Sequence, residues 1–148
     1  MWVLNLLSGK VDEINSERGK RAMTEKETTF LKTEITDCSG SLFSIQNLKT
    51  SSEIALPLFD RHGDQISVDV ENDGDRYLVS DDGYIVNDLI ASGIKLTDQR
   101  LEAIKRICKQ NSVVFDEEDF ELRIHCSRAD LAQTIHSFGQ ILTQISDL

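Results

Sequence analysis

The sequence predicts a two-layer α+β domain: an antiparallel sheet of about five to six strands with helices on one face, in the order α-β-β-β-β-α-α-β-β-α. Three observations lead there. Ile66, Val68 and Val70 alternate with Ser67, Asp69 and Glu71, a period of two that marks a strand with one covered face. Asp73-Gly74 separates that run from 77–79, and Asp-Gly between two such runs signals a hairpin, because Gly takes a positive φ without steric cost. Helical spacing is confined to both ends and to one central stretch, so the strands form runs and pair antiparallel.

The first helix is predicted over about 25–37. Thr24-Glu25-Lys26-Glu27 has the capping-box form, and Phe30, Leu31, Glu34, Ile35 and Cys38 follow at helical spacing. Ser39-Gly40-Ser41 ends it. Leu42, Phe43 and Ile45 read as a short extended piece, and 54–58 as the next strand, where Pro57 removes a ladder donor and marks an edge, a strand end or a bulge. After Asp81-Asp82-Gly83 the period changes. Val86, Leu89 and Ile90 suggest a short helix from about Asn87 to Gly93, a residue suited to a left-handed C-terminal cap. Thr97 caps a helix over 98–110 that aligns Leu101, Ile104, Ile107 and Cys108, with acids near its start and bases near its end. A second hairpin follows, 113–115 and 120–126, with an acidic tip. Ser127, with Asp130 as reciprocal cap, opens a last helix whose stripe Leu131, Ile135, Phe138, Leu142 and Ile145 must bury against a sheet or a partner chain.

The domain is expected to span residues 23–148. Residues 1–22, MWVLNLL then GKVDEINSERGKRA, show no sustained period and are expected to be non-native or disordered. Residues 17–21 can be encoded almost wholly in purines, resembling a ribosome-binding site upstream of a Met23 start; pyrimidine-rich codons there would remove that hypothesis. The competing reading is a mobile arm that docks Trp2 and Leu4 on a partner.

Composition narrows the function. Twenty-six acidic against sixteen basic residues give a formal charge of −10, a field that repels phosphate backbones and disfavours nucleic-acid binding through a broad basic face. The same field steers binding to a basic protein surface. Apolar runs are too short to cross a membrane, and the N-terminus lacks the marks of a signal peptide, so a cytoplasmic protein is expected. Cys38, Cys108 and Cys126 form no metal or disulfide framework. They read as reduced thiols, and Cys38 beside Asp37 at a helix end is poorly placed for nucleophilic chemistry.

No catalytic constellation stands in the sequence, and no cofactor is expected. Asp60, Asp64, Asp81 and Asp82 lie at predicted strand ends, where they would converge on one rim and bind a divalent cation as a hydrolase of nucleotides or nucleic acid does. Against this, Asp is a common turn former, because its carboxylate bonds its own backbone. Asp69-Val70-Glu71 puts two carboxylates on one strand face, but Asp73 stands where a nuclease of the Asp…Glu-x-Lys type needs a lysine. His62 lies in a turn and is a general acid–base candidate. Asp116, Glu117, Glu118 and Asp119, with Asp81 and Asp82, are the candidate partner-binding residues.

Pro57-Leu58-Phe59-Asp60, Gly63-Asp64-Gln65-Ile66, Tyr77-Leu78-Val79-Ser80-Asp81-Asp82-Gly83, Leu89 and Gly93 together resemble a bacterial and phage family, the domain of unknown function eighteen twenty-eight. The resemblance covers roughly residues 42–148 and departs at Leu56, where a polar residue is expected. It implies a bacterial, prophage-associated accessory protein and carries over no catalytic residue. The function expected is therefore a non-enzymatic acidic protein that binds and regulates or inhibits a host protein with a basic surface. Alternatives are the metal-dependent hydrolase and a self-associating module, a homodimer joined through the last helix and an edge strand at 54–57.

Overall fold

The structure is a computed structural model that describes residues 20–39 and 44–148, with the backbone alone at 20 and 35–39. Among the described residues eleven elements follow in chain order: β1 (Lys20–Arg21), α1 (Glu25–Ser39), β2 (Ser44–Asn47), β3 (Ser52–Phe59), β4 (Gln65–Asp73), β5 (Arg76–Ser80), α2 (Tyr84–Ala91), α3 (Asp98–Gln110), β6 (Val114–Phe115), β7 (Leu122–Cys126) and α4 (Leu131–Ser146). β2-β3-β4-β5-β7-β6 form one antiparallel sheet, and β1 adds a two-residue pairing at the far end of β4. The predicted α+β class and element order hold.

Alternation sets which face is covered. Ile54 and Leu56 of β3, Ile66, Val68 and Val70 of β4, Tyr77 and Val79 of β5, and Leu122 of β7 are buried. α4 lies across them, its stripe of Leu131, Ile135, Phe138, Leu142 and Ile145 buried throughout, and α1, α2 and α3 pack around it. The stripe is thus consumed within the domain. Gly139 lets helix and sheet approach closely, since a Cβ there would stand 2.6 Å from Leu56 Cδ1. Among the described residues no helix is long and apolar enough to cross a membrane.

Several boundaries differ from the sequence reading. The segment 54–57 is interior, paired with β2 on one side and β4 on the other, so it offers no free edge as far as Ala55. Beyond Ala55 the register shifts at a bulge that contains Pro57, and the Gln65 side chain donates to the Leu56 carbonyl at 2.8 Å, replacing a lost ladder bond. Helix α2 begins at Tyr84, three residues before Asn87, because Asp81 supplies the starting cap. Its end is as expected: Gly93 at φ 87° and Ile94 donate to the Ile90 and Leu89 carbonyls, the paired bonds of a Schellman motif. The return strand of the second hairpin starts at Leu122, because Phe120 adopts φ 64° and turns its ring onto Phe115. Leu42 and Phe43 fall outside the described residues, as do Trp2 and Leu4.

The ordered fold takes in residues 20–22, part of the segment expected to lie outside it. Arg21 pairs with Asn72 across the strands and bonds Glu27 at 2.8 Å; Met23 is buried, and its N–H donates to Ser52 Oγ. Glu27 also accepts from Thr24 and from the Tyr77 hydroxyl. Burial pushes the Glu27 carboxyl up, but the bonds from Arg21 and Thr24 outweigh it and hold the pKa below the usual value.

Helix α3 ends less comfortably than α2. Ser112 sits at φ 58° while Val113 N–H closes onto the Cys108 carbonyl at 2.9 Å, a position that glycine fills without strain. Ser112→Gly is expected to raise the unfolding free energy by about 0.5 kcal/mol in urea denaturation, with an unchanged m-value.

Candidate functional site

β5 stops at Ser80, opposite Asp69 of the longer β4, and there the chain leaves the sheet. The Asp81 carboxylate builds the exit. Its Oδ1 accepts the N–H groups of Gly83 and Leu122, both at 2.9 Å, and its Oδ2 accepts that of Ile85 at 3.0 Å. One buried side chain therefore sets the turn, starts α2 and fastens both to β7. Burial raises its pKa against the opposing effect of those three N–H groups. Asp82 and Gly83 take left-handed φ of 54° and 76°, and a Cβ at Gly83 would lie 3.0 Å from the Asp119 carbonyl oxygen.

Where β5 has ended, the outer flank of α2 and the first half of β4 enclose a cleft of about 710 Å³ on the uncovered side of the sheet. Glu53, Asp64, Asp69, Asp81, Asp82 and Asp88 line it beside Ser67, Tyr84 and Asn87, and no Lys, Arg or His stands among its described lining residues. Glu53 and Asp69 face each other directly across β3 and β4, a like-charge pairing that costs stability. The Asp69 carboxyl is raised to about 6, first by burial and then by the charges of Asp82, Glu53, Glu71 and Asp81. Phe59, paired with Gln65 of the cleft wall, and Tyr84 are both exposed.

The four carboxylates considered for a cation have different tasks. Asp64, Asp81 and Asp82 reach the cleft. Asp60 does not line it; its Oδ1 accepts the N–H groups of His62 and Asp64, and its Oδ2 faces the Tyr84 hydroxyl at 3.4 Å. Burial raises the Asp60 pKa, but those bonds bring it below its usual value. Among the described residues no group of three or more His, Cys, Asp or Glu side chains is arranged to hold a metal ion. Asp81 spends both oxygens on backbone N–H groups and Asp60 one, as turn-forming aspartates do.

His62 Nε2 lies 3.0 Å from Asp88 Oδ2 and 3.1 Å from Ser92 Oγ. The three residue types are those of a nucleophilic triad, yet both contacts fall on one ring nitrogen, whereas a relay needs acid and nucleophile on opposite nitrogens. His62 instead latches the β3–β4 turn to α2. Cys108 is buried, and burial, with a smaller contribution from Asp81, pushes its thiol up to about 11; burial also raises Cys126. The Cys38 side chain lies outside the described residues.

The acidic tip lies against the Asp81-Asp82-Gly83 turn, so the structure brings the two predicted partner-binding segments together. Asn87 Nδ2 joins them, donating to both the Gly83 and Asp119 carbonyls. Much of the tip's charge is already met: Glu117 pairs with Lys105 at 3.1 Å, Asp116 lies 3.6 Å from Arg123, and Asp119 Oδ1 accepts the Glu121 N–H. Among the described residues the charge without a partner lies in the cleft, on Glu53 and Asp69, whereas the Asp88 carboxylate is met by His62. Asp69 is visible in sequence as half of a same-face pair, but Glu53 and Asp88 become neighbours of the site only through strand register and the placement of α2.

No curated protein and no solved structure matches the chain. The model of one family matches residues 56–145, more than half of its length and the part that holds β3 beyond Ala55, the cleft turn and α4. The chain belongs to the family described as Domain of unknown function DUF1828.

Proposed function

We propose that this chain is a non-enzymatic acidic interaction protein that binds a basic surface of another protein in the cleft between β4 and α2, and so regulates or inhibits it. In this reading the chain is phage- or prophage-encoded and its partner is a host protein. The observation that carries it is the direct opposition of Glu53 and Asp69 on an uncovered sheet face, in a cleft whose described lining holds no cation. Like charges held together cost stability, and a lysine or arginine from a partner removes that cost on binding. The overall charge of −10 steers such a partner inwards, and exposed Phe59 and Tyr84 supply apolar area beside the charged floor.

The reading is tested by the anisotropy of a labelled octa-arginine peptide with the full chain at low salt. Glu53→Gln and Asp69→Asn should each weaken binding about three- to fivefold, the effect of losing a partly exposed ion pair. Glu117→Gln with Glu118→Gln should change it little. Equal weakening by both sets would show attraction to net charge alone and overturn the cleft as the binding site.

A further inference from the structure

A second hollow, of about 380 Å³, lies at the other end of β4 and has the opposite character. Arg21, Lys26 and Arg128 line it, brought from β1, the first turn of α1 and the loop before α4. Three cations drawn from segments this far apart in the chain are unexpected in a protein of net charge −10. Two carboxylates share the lining, Glu27 and Asp75. Glu27 is already saturated, its Oε1 accepting from Arg21 and Thr24 and its Oε2 from the Tyr77 hydroxyl. Arg21 commits only its Nη1, to Glu27 and the Ala22 carbonyl, which leaves further guanidinium donors. Lys26 pairs with no carboxylate among the described residues. Arg128 pairs with none either, and its guanidinium is held 4.9 Å from the centre of the Phe30 ring, which fixes its position without neutralising it.

We propose that this hollow binds the phosphate group of a small phosphorylated ligand. A compact dianion met by an ammonium and two guanidinium groups from separate directions suits phosphate, whereas a planar carboxylate is satisfied by one guanidinium fork. The volume falls at the small end of the roughly 300–1,000 Å³ range of ligand pockets, and the acidic field around the rest of the molecule repels a nucleic-acid polymer; both select a small molecule. The site is separate from the acidic cleft, with which it shares no lining residue.

The test is a ¹H–¹⁵N titration of the full chain at constant ionic strength with inorganic phosphate, phenyl phosphate and benzoate. Saturable shifts at Thr24, Lys26, Asn72, Asp75 and Arg128 are expected with both phosphates, with benzoate at least about fivefold weaker. Lys26→Glu and Arg128→Gln should each weaken phosphate binding about tenfold or more while leaving the melting temperature of the exposed-site variant Lys26→Glu unchanged. The proposal is overturned by an absence of saturable shifts at millimolar phosphate, by binding that survives both substitutions, or by benzoate binding as tightly as phenyl phosphate.

Discussion

Replacing Asp81 by Ala should lower the unfolding free energy at pH 7 by about 3–5 kcal/mol, a fall read directly from urea or thermal denaturation. The carboxylate accepts three N–H groups, from Gly83, Ile85 and Leu122, and is buried. Alanine leaves those donors without a partner, and each buried, unsatisfied donor costs roughly 1–3 kcal/mol before partial relaxation. Asparagine should be intermediate, because its amide oxygen can replace Oδ1 while its NH₂ then faces the Ile85 N–H. Glu53→Gln, on the same cleft but exposed, removes one side of the like-charge pair and should raise stability slightly, by less than about 1 kcal/mol. A loss under about 1 kcal/mol for Asp81→Ala would contradict its role as the fastening of β5, α2 and β7.

Asp69→Asn should act in the opposite direction, and only at neutral pH and above. The Asp69 carboxyl titrates at about 6 in the folded chain, above its ordinary value of 3.8, so the folded state holds a proton that the unfolded state has released between those values. Ionised Asp69 therefore costs nothing near pH 4, an increasing amount as pH rises towards 6, and a constant amount above. The whole shift corresponds to about 3 kcal/mol, which solvent screening at this partly exposed site reduces to about 1–2. The asparagine variant should thus melt roughly 3–6 °C higher at pH 7.5 and at an unchanged temperature near pH 4. An equal gain at both pH values would mean that packing, and not charge, sets the effect. Glu27 and Asp60, whose carboxyls lie below their usual values, work the other way: their contribution is present at neutral pH and lost on acidification.

Local signals account for most of the fold. The period of two in β4, the Asp-Gly turn, Thr97 at the α3 cap and Gly93 after α2 each act within a few residues, and each appears where the sequence puts it. The start of α2 escapes the sequence reading because its cap is unusual. Asp81 reaches two residues past itself to Gly83 and four to Ile85, through a turn with two left-handed residues. β3 is interior through a local hairpin with β2, whose residues read in sequence only as a short extended piece, whereas the pairing of β1 with β4 depends on long-range register that no short window contains. The same limit applies to the cleft. Asp64, Asp81 and Asp82 are candidates because they sit in turns, yet Glu53 and Asp69 join them only once β3 and β4 are aligned. Asp60 belongs with the turn chemistry that its sequence suggests equally well.

Binding of a basic partner in the cleft is tested most directly by mapping amide shifts of the ¹⁵N-labelled full chain as octa-arginine is added at low salt. The account predicts the largest shifts at Glu53, Ser67, Asp69, Asp82 and Asn87, fading as salt rises and as pH falls through about 6, where Asp69 takes up its proton. Shifts centred on Asp116, Glu117, Glu118 and Asp119, or spread evenly over the acidic surface, would contradict it.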